Sequence, residues 1–530
     1  MQTELESSTS RVFGNRSGRS LFSRSRLELL LLSAFSIFYF ADVLLRASEK
    51  YFWYDEITTV CLSRLNPGAL WVALRTAVDN NPPLFYWLTR AGEALAGENK
   101  IGARLPEIIA FWAFCLCMYG FVRRRAGIVA GLIAMLFPMC TGAFFYAYEA
   151  RPHAIVLGLA GLSAVCWQNA YERKRRTLWL VLLSLCLFGA FMNHCFALLL
   201  VFPFALAELF QMAKTRRFDL PLWAALIIPA LAVVPLYLPL VQAAHKLWQG
   251  TQLFTAFPPS WSQPARFYNF LLNPAFLILI FALLLLLVHE IFESSNRLIF
   301  SAREAILAAG FLALPIVSVV LGKAVNAPYV YRYLLSTLLG FCFLLAVPFG
   351  SARLLKPNLT AVALAAVLFL YAGASFSRLA WHRIHGVGEI LFESSSSTFL
   401  DTTPGNPLAN ESLLWSASDQ KIPIATRNAI QFLHIVYYAP GISRRLYYVA
   451  PGETDVLYRW LGTFERFGPA YNAPEKYWSF INAQPRCYLW GGPEVVQSIS
   501  ELLARGWQLR SLQTFQGQNL AVVENPRPPE

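Results

Sequence analysis

Two adjacent carboxylates, Asp55 and Glu56, stand at the outer end of the first long apolar segment, directly after four aromatic residues. Aromatic clusters of this kind favour the membrane–water interface. A carboxylate at that level can take a proton from an attacking hydroxyl group or orient it. We therefore regard Asp55 and Glu56 as candidate catalytic residues. The alternative is a pair of solvated charges at a helix end.

Other polar residues lie where later apolar segments end. Asp79 precedes a double proline that predicts a rigid helix entry. Glu149 and Arg151 either neutralise each other or serve a function, since charges near a membrane are costly to keep. Arg332 lies between two tyrosines, Tyr331 and Tyr333. It is either an anchor at the membrane interface or a phosphate-binding residue, since a guanidinium group can form two hydrogen bonds to phosphate oxygens. The candidate residues for binding substrate or lipid phosphate are Arg332, Arg151, Glu149, Lys323, Tyr331, His194 and Asp79.

The composition excludes an ordinary soluble enzyme. Hydrophobic residues make up 56% of the 530 residues and charged residues only 14%, whereas soluble domains carry about a quarter charged residues. The net charge is +13. The basic residues lie in clusters between apolar segments and form no single stripe, which argues against nucleic acid and favours anionic lipid head groups.

Eleven apolar segments are close to the length of about 20 residues that spans a bilayer. Every second connection between them is basic, and the positive-inside rule places that face in the cytoplasm. The N-terminus is then cytoplasmic and the C-terminal part lies outside, in a multi-pass protein of the plasma (inner) membrane. The segments are 27–46, 105–122, 127–147, 153–171, 177–194, 196–213, 219–240, 267–289, 304–322, 333–350 and 358–377.

The predicted organisation has four parts. A cytoplasmic tail covers 1–26, and a transmembrane domain covers 27–377, with a long first outer loop at 47–104. A linker rich in serine, threonine, proline and glycine covers 378–420. Alternating helix and strand patterns over 421–530 predict a small extracytoplasmic α/β domain. Within the outer loop, 83–97 is apolar but short for a span, so we interpret it as a helix in the interface.

The order of these motifs resembles the polytopic GT-C glycosyltransferases, in the bacterial branch near the protein O-mannosyltransferases and the aminoarabinose transferases. The resemblance covers about 27–350. It departs from the family pattern at His153 and Cys195, where tyrosine is expected. The motifs that carry it are Asp55-Glu56, Asn81-Pro82-Pro83-Leu84-Phe85-Tyr86-Trp87-Leu88, Ala103-Arg104-Leu105-Pro106, Glu149-Ala150-Arg151-Pro152-His153, Asn193-His194-Cys195-Phe196 and Tyr331-Arg332-Tyr333.

The resemblance implies a sugar donor carried on a polyprenyl phosphate, an active site on the outer face, and a glycan, lipid or protein as acceptor. Asp55 then matches the base that activates the acceptor hydroxyl. A lipid phosphate is a stable leaving group, so a single displacement with inversion needs one base and cations for the phosphate. The sequence identifies no cofactor with certainty and leaves dependence on a divalent metal ion open. The absence of a Walker motif in the sequence fits a donor other than a cytosolic nucleotide.

Two other classes compete with this interpretation. A transporter or flippase for a lipid-linked substrate would place polar residues deep in its spans, usually within repeats. The mid-span positions here are mainly Leu, Ala, Phe and Val. An O-antigen ligase or polymerase would carry a large outer loop between late spans, where this sequence has short ones.

Overall fold

The computed structural model describes residues 17–172, 174–249, 258–292, 301–325, 329–346, 359–385, 413–414, 416–417, 421–450, 475–515 and 517–526. Residues 1–16 of the predicted tail and most of the predicted linker, 386–412, lie outside these ranges. The fold combines a large helical domain with a six-stranded sheet near the C-terminus.

The helical domain contains fifteen described α-helices, which we number in chain order. They are α1 Ser17–Glu49, α2 Tyr54–Ser63, α3 Pro67–Arg75, α4 Pro83–Ala96, α5 Lys100–Leu136, α6 His153–Glu172, α7 Arg176–Asn193, α8 Val201–Thr215, α9 Leu220–Ala232, α10 Val234–Gln249, α11 Gln263–Leu272, α12 Phe276–Phe292, α13 Ala302–Val325, α14 Leu338–Ala346 and α15 Leu359–His385. Short 3₁₀ helices join several of them: Phe137–Cys140, Gly142–Tyr148, Cys195–Leu200, Asn273–Ala275 and Tyr331–Thr337.

Eight helices in the described residues are long and apolar enough to cross a membrane. The pair α9 and α10, bent by 46°, adds a ninth if it is counted as one span. The chain is therefore a multi-pass membrane protein. The count of eleven stays a prediction. It is reached only if α5 is divided at Gly127, whose φ of 87° interrupts the helix, and if the short apolar stretch Tyr331–Leu345 is included.

Some predicted helix boundaries agree with the structure, and others differ from it. The continuous apolar stretch near Asn193 does divide there, because α7 ends at that residue and a new helix begins at Cys195. The segment after the double proline is a helix of 14 residues, α4; its position in the interface stays a prediction. The last long helix continues beyond the predicted start of the linker, as far as His385. Helix α1 already begins at Ser17, inside the predicted tail.

The C-terminal part is an α/β unit, as predicted. Its strands pair in the order β3-β2-β1-β4-β6-β5, with parallel pairing from β3 to β4 and antiparallel pairing of β6 with both β4 and β5. The sequence pattern missed β3 and the helix after it. The strands are β1 Ile424–Thr426, β2 Leu446–Ala450, β3 Glu475–Lys476, β4 Arg486–Gly491, β5 Gln508–Phe515 and β6 Gln518–Glu524, and the helices are α16 Ala429–Tyr438, α17 Pro440–Ser443, α18 Tyr477–Asn482 and α19 Pro493–Leu503.

Small residues let α5 and α6 approach closely. A Cβ placed on Gly158 would lie 2.5 Å from the carbonyl oxygen of Ala110, too close for any side chain. Small residues at helix crossings are a common device in membrane domains, since packing rather than hydrophobic transfer holds the helices together there. This crossing matters for the site because α6 begins immediately after the segment that carries Arg151.

Gly158→Ala is expected to lower the thermal stability of the protein in detergent by about 1–3 kcal/mol, because the added methyl group forces α6 away from α5. Gly373→Ala is the matched control, since a Cβ at that helical position meets nothing within 4 Å and alanine is the better helix former. Equal melting temperatures for the two variants would contradict the close packing.

Candidate active site

The side chains of Asp55 and Glu56, in the first turn of α2, point in different directions. Successive residues of an α-helix point about 100° apart, so neighbours rarely share an environment. The side chain of Asp55 is 20% exposed, and that of Glu56 is fully buried. The prediction that Glu56 is catalytic is therefore corrected: its carboxylate lies inside the protein and binds protein groups.

Glu56 forms a bidentate ion pair with Arg104 of α5. The Arg104 Nε and Nη2 atoms donate to the two carboxylate oxygens over 2.7 and 2.9 Å. The backbone N–H of Ala150 donates to the same carboxylate over 2.8 Å. Burial alone would raise the pKa of Glu56, but Arg104, Lys50 and these hydrogen bonds outweigh it and hold the pKa below its usual range. Glu56 therefore joins the start of α2 to α5 and to the segment before α6.

Glu149 also belongs to this interior network. The indole N–H of Trp53 donates to its carboxylate over 3.1 Å. The buried ammonium group of Lys50 lies between Glu149 and Glu56, 3.5 and 3.4 Å from their oxygens. Glu149 is 1% exposed, so its predicted role in binding substrate is replaced by a role in holding Trp53.

Asp55 lies between two arginines that come from distant parts of the sequence. Its Oδ2 atom is 3.2 Å from Nη2 of Arg332 and 3.8 Å from Nη2 of Arg151. Arg332 belongs to the 3₁₀ helix before α14, and Arg151 precedes α6. The structure thus brings together the predicted carboxylate and the two predicted arginines.

Asp79 completes the cluster. Nη1 of Arg151 donates to Asp79 over 2.6 Å and to the hydroxyl group of Thr59, on α2, over 3.2 Å. Burial would raise the pKa of Asp79, but the Arg151 guanidinium holds that pKa below its usual range. The side-chain amide of Asn81 also donates to Asp79, over 3.2 Å. Asp79 therefore orients Arg151.

His194 borders the cluster as a neutral ring. Burial, with the nearby charges of Arg151 and Arg332, lowers its pKa to about 3. His194 is therefore neutral at neutral pH in this arrangement of charges. Its ring packs 4.4 Å from that of Tyr333, and His153 lies 5.5 Å away on another side. The role of His194 in binding substrate or lipid phosphate stays a prediction.

Two predicted residues lie elsewhere. The Tyr331 ring packs against Phe267 and Phe270, with centroids 6.1 and 6.0 Å apart. Lys323 is exposed and lies 5.7 Å from the ring of Trp261. No ion pair in the described part of the chain joins Lys323 to Asp55 or Asp79. The roles of Tyr331 and Lys323 in binding substrate or lipid phosphate stay predictions.

Sequence reasoning missed the residues that support the cluster. Arg104 belongs to the motif Ala103-Arg104-Leu105-Pro106, but it lies 48 residues from Glu56 in the sequence, so no local pattern indicates that the two pair. Lys50 directly precedes the aromatic cluster, where a single lysine resembles an interface anchor. Among the described residues, no group of three or more His, Cys, Asp or Glu is arranged to hold a metal ion.

Parts of the sequence match known proteins. Residues 80–238 match the family model described as dolichyl-phosphate-mannose-protein mannosyltransferase. The undecaprenyl phosphate-alpha-4-amino-4-deoxy-L-arabinose arabinosyl transferase of Pseudomonas aeruginosa is 27% identical over 233 residues. That match covers 42% of this chain and 41% of the relative, so the chain spans about two-fifths of the curated relative that it matches.

Solved structures extend the likeness to almost the whole chain. ArnT from Cupriavidus metallidurans bound to undecaprenyl phosphate aligns with a TM-score of 0.56 at 14% identity, over 94% of this chain and 98% of ArnT. The apo form of that protein gives a TM-score of 0.55 at 14% identity, over 95% and 100%. This chain has the GT-C fold of the polytopic membrane glycosyltransferases. Within this GT-C fold, the cluster around Asp55 lies where the ends of several long helices meet.

Converting each of the two neighbouring acids to its amide is expected to lower stability by very different amounts. Glu56→Gln leaves Arg104 buried with an uncompensated charge, so we expect a loss of about 3–5 kcal/mol in stability. Asp55→Asn weakens a partly exposed ion pair and should cost less than about 1 kcal/mol. Melting temperatures of the two variants in detergent check this. A Glu56→Gln protein as stable as Asp55→Asn would contradict the structural role of Glu56.

Proposed function

We propose that this chain is a membrane glycosyltransferase that moves a sugar from a polyprenyl-phosphate donor to an acceptor hydroxyl group, by a single displacement with inversion. The observation that carries the proposal is the cluster around Asp55. A partly exposed carboxylate lies within 4 Å of two guanidinium groups, which supplies a base for a hydroxyl group next to cations for a phosphate.

The names of the similar proteins support this choice of substrate class. The curated relative is named for an undecaprenyl-phosphate sugar, and one ArnT structure is described as bound to undecaprenyl phosphate. The family model that matches is named for a dolichyl-phosphate sugar. The donors in these names share a phosphate on a long polyprenyl chain, and the proposal transfers that feature to this chain. The acceptor proposed here is a glycan, a lipid or a protein hydroxyl.

In the proposed step, one bond to the anomeric carbon forms and one breaks. The acceptor oxygen bonds to the anomeric carbon while its proton passes to Asp55. The bond between the anomeric carbon and the phosphate oxygen breaks, and its electron pair stays on the departing lipid phosphate. Arg332 and Arg151 stabilise the negative charge that grows there. Because the leaving group is already a stable anion, a second carboxylate acting as general acid is not needed.

The pairing of Arg332 with Asp55 suits this order of events. The Arg332 guanidinium lies 3.2 Å from one oxygen of the Asp55 carboxylate, so the two groups satisfy each other's charge. A donor phosphate that takes Arg332 as its partner would loosen that pair and leave Asp55 available to the acceptor. Arg151 stays in place meanwhile, because Asp79 and Thr59 hold it independently.

The site is proposed to open on the outer face of the plasma (inner) membrane, with the N-terminus in the cytoplasm. Basic residues support this orientation. They lie at the opposite ends of helices that lead to the site. Arg176 begins α7, whose other end adjoins His194, and Arg303 lies in the first turn of α13, which precedes Arg332 in the sequence. A transporter is not favoured, since the candidate charges lie at helix ends rather than along a path through the bundle.

The proposal is tested by incubating the purified protein with a panel of polyprenyl-phosphate sugars and acceptors, and following loss of the sugar and gain of the product by mass spectrometry. We expect turnover with at least one donor. Movement of an intact lipid-linked sugar across vesicles without cleavage would instead favour the flippase alternative.

Asp55→Asn is expected to abolish transfer, with a fall of at least about 100-fold in kcat, because the amide cannot accept the hydroxyl proton. Insertion into the membrane and affinity for the donor should persist. Turnover assays together with donor binding separate these effects. Near-normal turnover in Asp55→Asn would remove it as the base.

Arg332→Ala is expected to raise the donor KM by about ten-fold or more, since a charge-assisted contact with phosphate contributes about 1.5–3 kcal/mol. The apparent KM for the acceptor should change less. Lys323→Ala is the matched control, because it removes an exposed cation that lies against Trp261. If both variants shift the donor KM equally, Arg332 is not the phosphate ligand.

A further inference from the structure

The C-terminal α/β unit contacts the segment that leads into the site. The backbone N–H of Phe52 donates to the hydroxyl oxygen of Tyr438, the last residue of α16, over 2.6 Å. The Tyr438 ring also meets that of Tyr51 edge-on at 5.3 Å, and the Tyr437 ring meets that of Phe52 at 5.9 Å. Phe52 is 2% exposed, so its N–H has no ready access to water as an alternative partner.

The contact is part of a continuous apolar core. Residues of α2, among them Ile57 and Val60, are buried in one cluster with Phe432, Leu433 and Val436 of α16. The contact with the C-terminal unit therefore includes α2 itself as well as Phe52, which precedes the helix. The far end of α2 is fixed to the membrane domain, where Arg64 pairs with Glu93 of α4 at 2.7 Å.

The segment held by Tyr438 leads directly to the charged cluster. The guanidinium of Arg104 lies 4.7 Å from the Phe52 ring on the side of the membrane domain. The next residue, Trp53, has its ring 5.5 Å from the Arg332 guanidinium. Asp55 follows in the first turn of α2. A shift of the Phe52 backbone would move Trp53 against Arg332 and turn Asp55 away from it.

We propose that Tyr438 is a positioning residue, through which the C-terminal unit fixes the distance between Asp55 and Arg332. The inference rests on the function proposed above and adds a role for the unit. The membrane domain supplies the charged groups, and Tyr438 restrains the backbone that carries one of them. Because reactions depend steeply on alignment, displacements of about 1 Å lower rates severely, and the loss falls on kcat more than on binding.

The test compares Tyr438→Phe with Tyr437→Phe in the full-length protein. The first variant removes the hydroxyl group that accepts the Phe52 N–H and keeps the ring. The second removes a hydroxyl group from the neighbouring tyrosine in the same interface. We expect Tyr438→Phe to lower kcat about 5–10-fold with a donor KM within two-fold of the wild-type value, and Tyr437→Phe to leave both nearly unchanged.

Hydrogen–deuterium exchange supplies a readout that does not need activity. The peptide that contains Phe52 should exchange at least several-fold faster in Tyr438→Phe than in the wild type or Tyr437→Phe, while peptides of α5 stay protected. Equal kcat and equal exchange in the two variants would overturn the proposal. So would a loss of kcat in Tyr438→Phe that is matched by a proportional rise in donor KM.

These outcomes are separable from those of the proposed function. If the wild-type protein transfers sugar from no donor in the panel, the glycosyltransferase proposal fails, and the exchange measurement still decides whether Tyr438 restrains Phe52. If the wild-type protein is active and the two tyrosine variants behave alike, the function stands and the positioning role of Tyr438 is refuted.

Discussion

The buried ion pair between Glu56 and Arg104 is the contact on which the geometry of the site depends. Besides binding Glu56, Arg104 donates to the backbone carbonyl oxygens of Ala47, Lys50 and Tyr51, over 2.7, 2.9 and 3.2 Å. One guanidinium therefore fixes the end of α1, the turn after it and the start of α2. The attraction within a buried ion pair offsets the cost of desolvation only when the remaining N–H donors are also hydrogen-bonded. The three carbonyl oxygens accept hydrogen bonds from those donors of Arg104. Asp55 can face the site because its neighbour is held on the other side.

The charges around Asp55 balance through the proposed reaction. Two aspartates and two arginines make the cluster neutral, and a lipid phosphodiester adds one negative charge. Transfer converts that diester into a monoester with a second negative charge, while Asp55 gains a proton and loses its own charge. The total stays the same. In a site of low dielectric, where uncompensated charge is costly, this constancy explains why a base and a phosphate clamp can share one small cluster.

The sequence was sufficient for the class of protein and for the main polar residues, since these follow from local patterns. Apolar length, basic connections and motifs at helix ends pointed to Asp55, Asp79, Arg151 and Arg332, and the structure brings these four together. The sequence did not show that the side chains of Glu56 and Glu149 point into the protein interior. Whether a residue at a helix start faces a cleft or the interior depends on how the helix is rotated, and tertiary contacts set that rotation. The hydrogen bond from Phe52 to Tyr438 joins residues 386 positions apart, so no local pattern contains it.

The way in which the site is assembled also explains why each motif was weak on its own. Asp55 lies in the first turn of α2, Arg151 precedes α6, His194 follows α7, and Arg332 precedes α14, so each helix supplies only one part of the site. Only the packing of the helices determines whether these parts meet. A site built at helix ends also lies near the level where a lipid phosphate rests when its polyprenyl chain stays in the bilayer. In the proposed reaction, the carrier would reach the arginines without leaving the membrane, and the acceptor would approach Asp55 from the aqueous side.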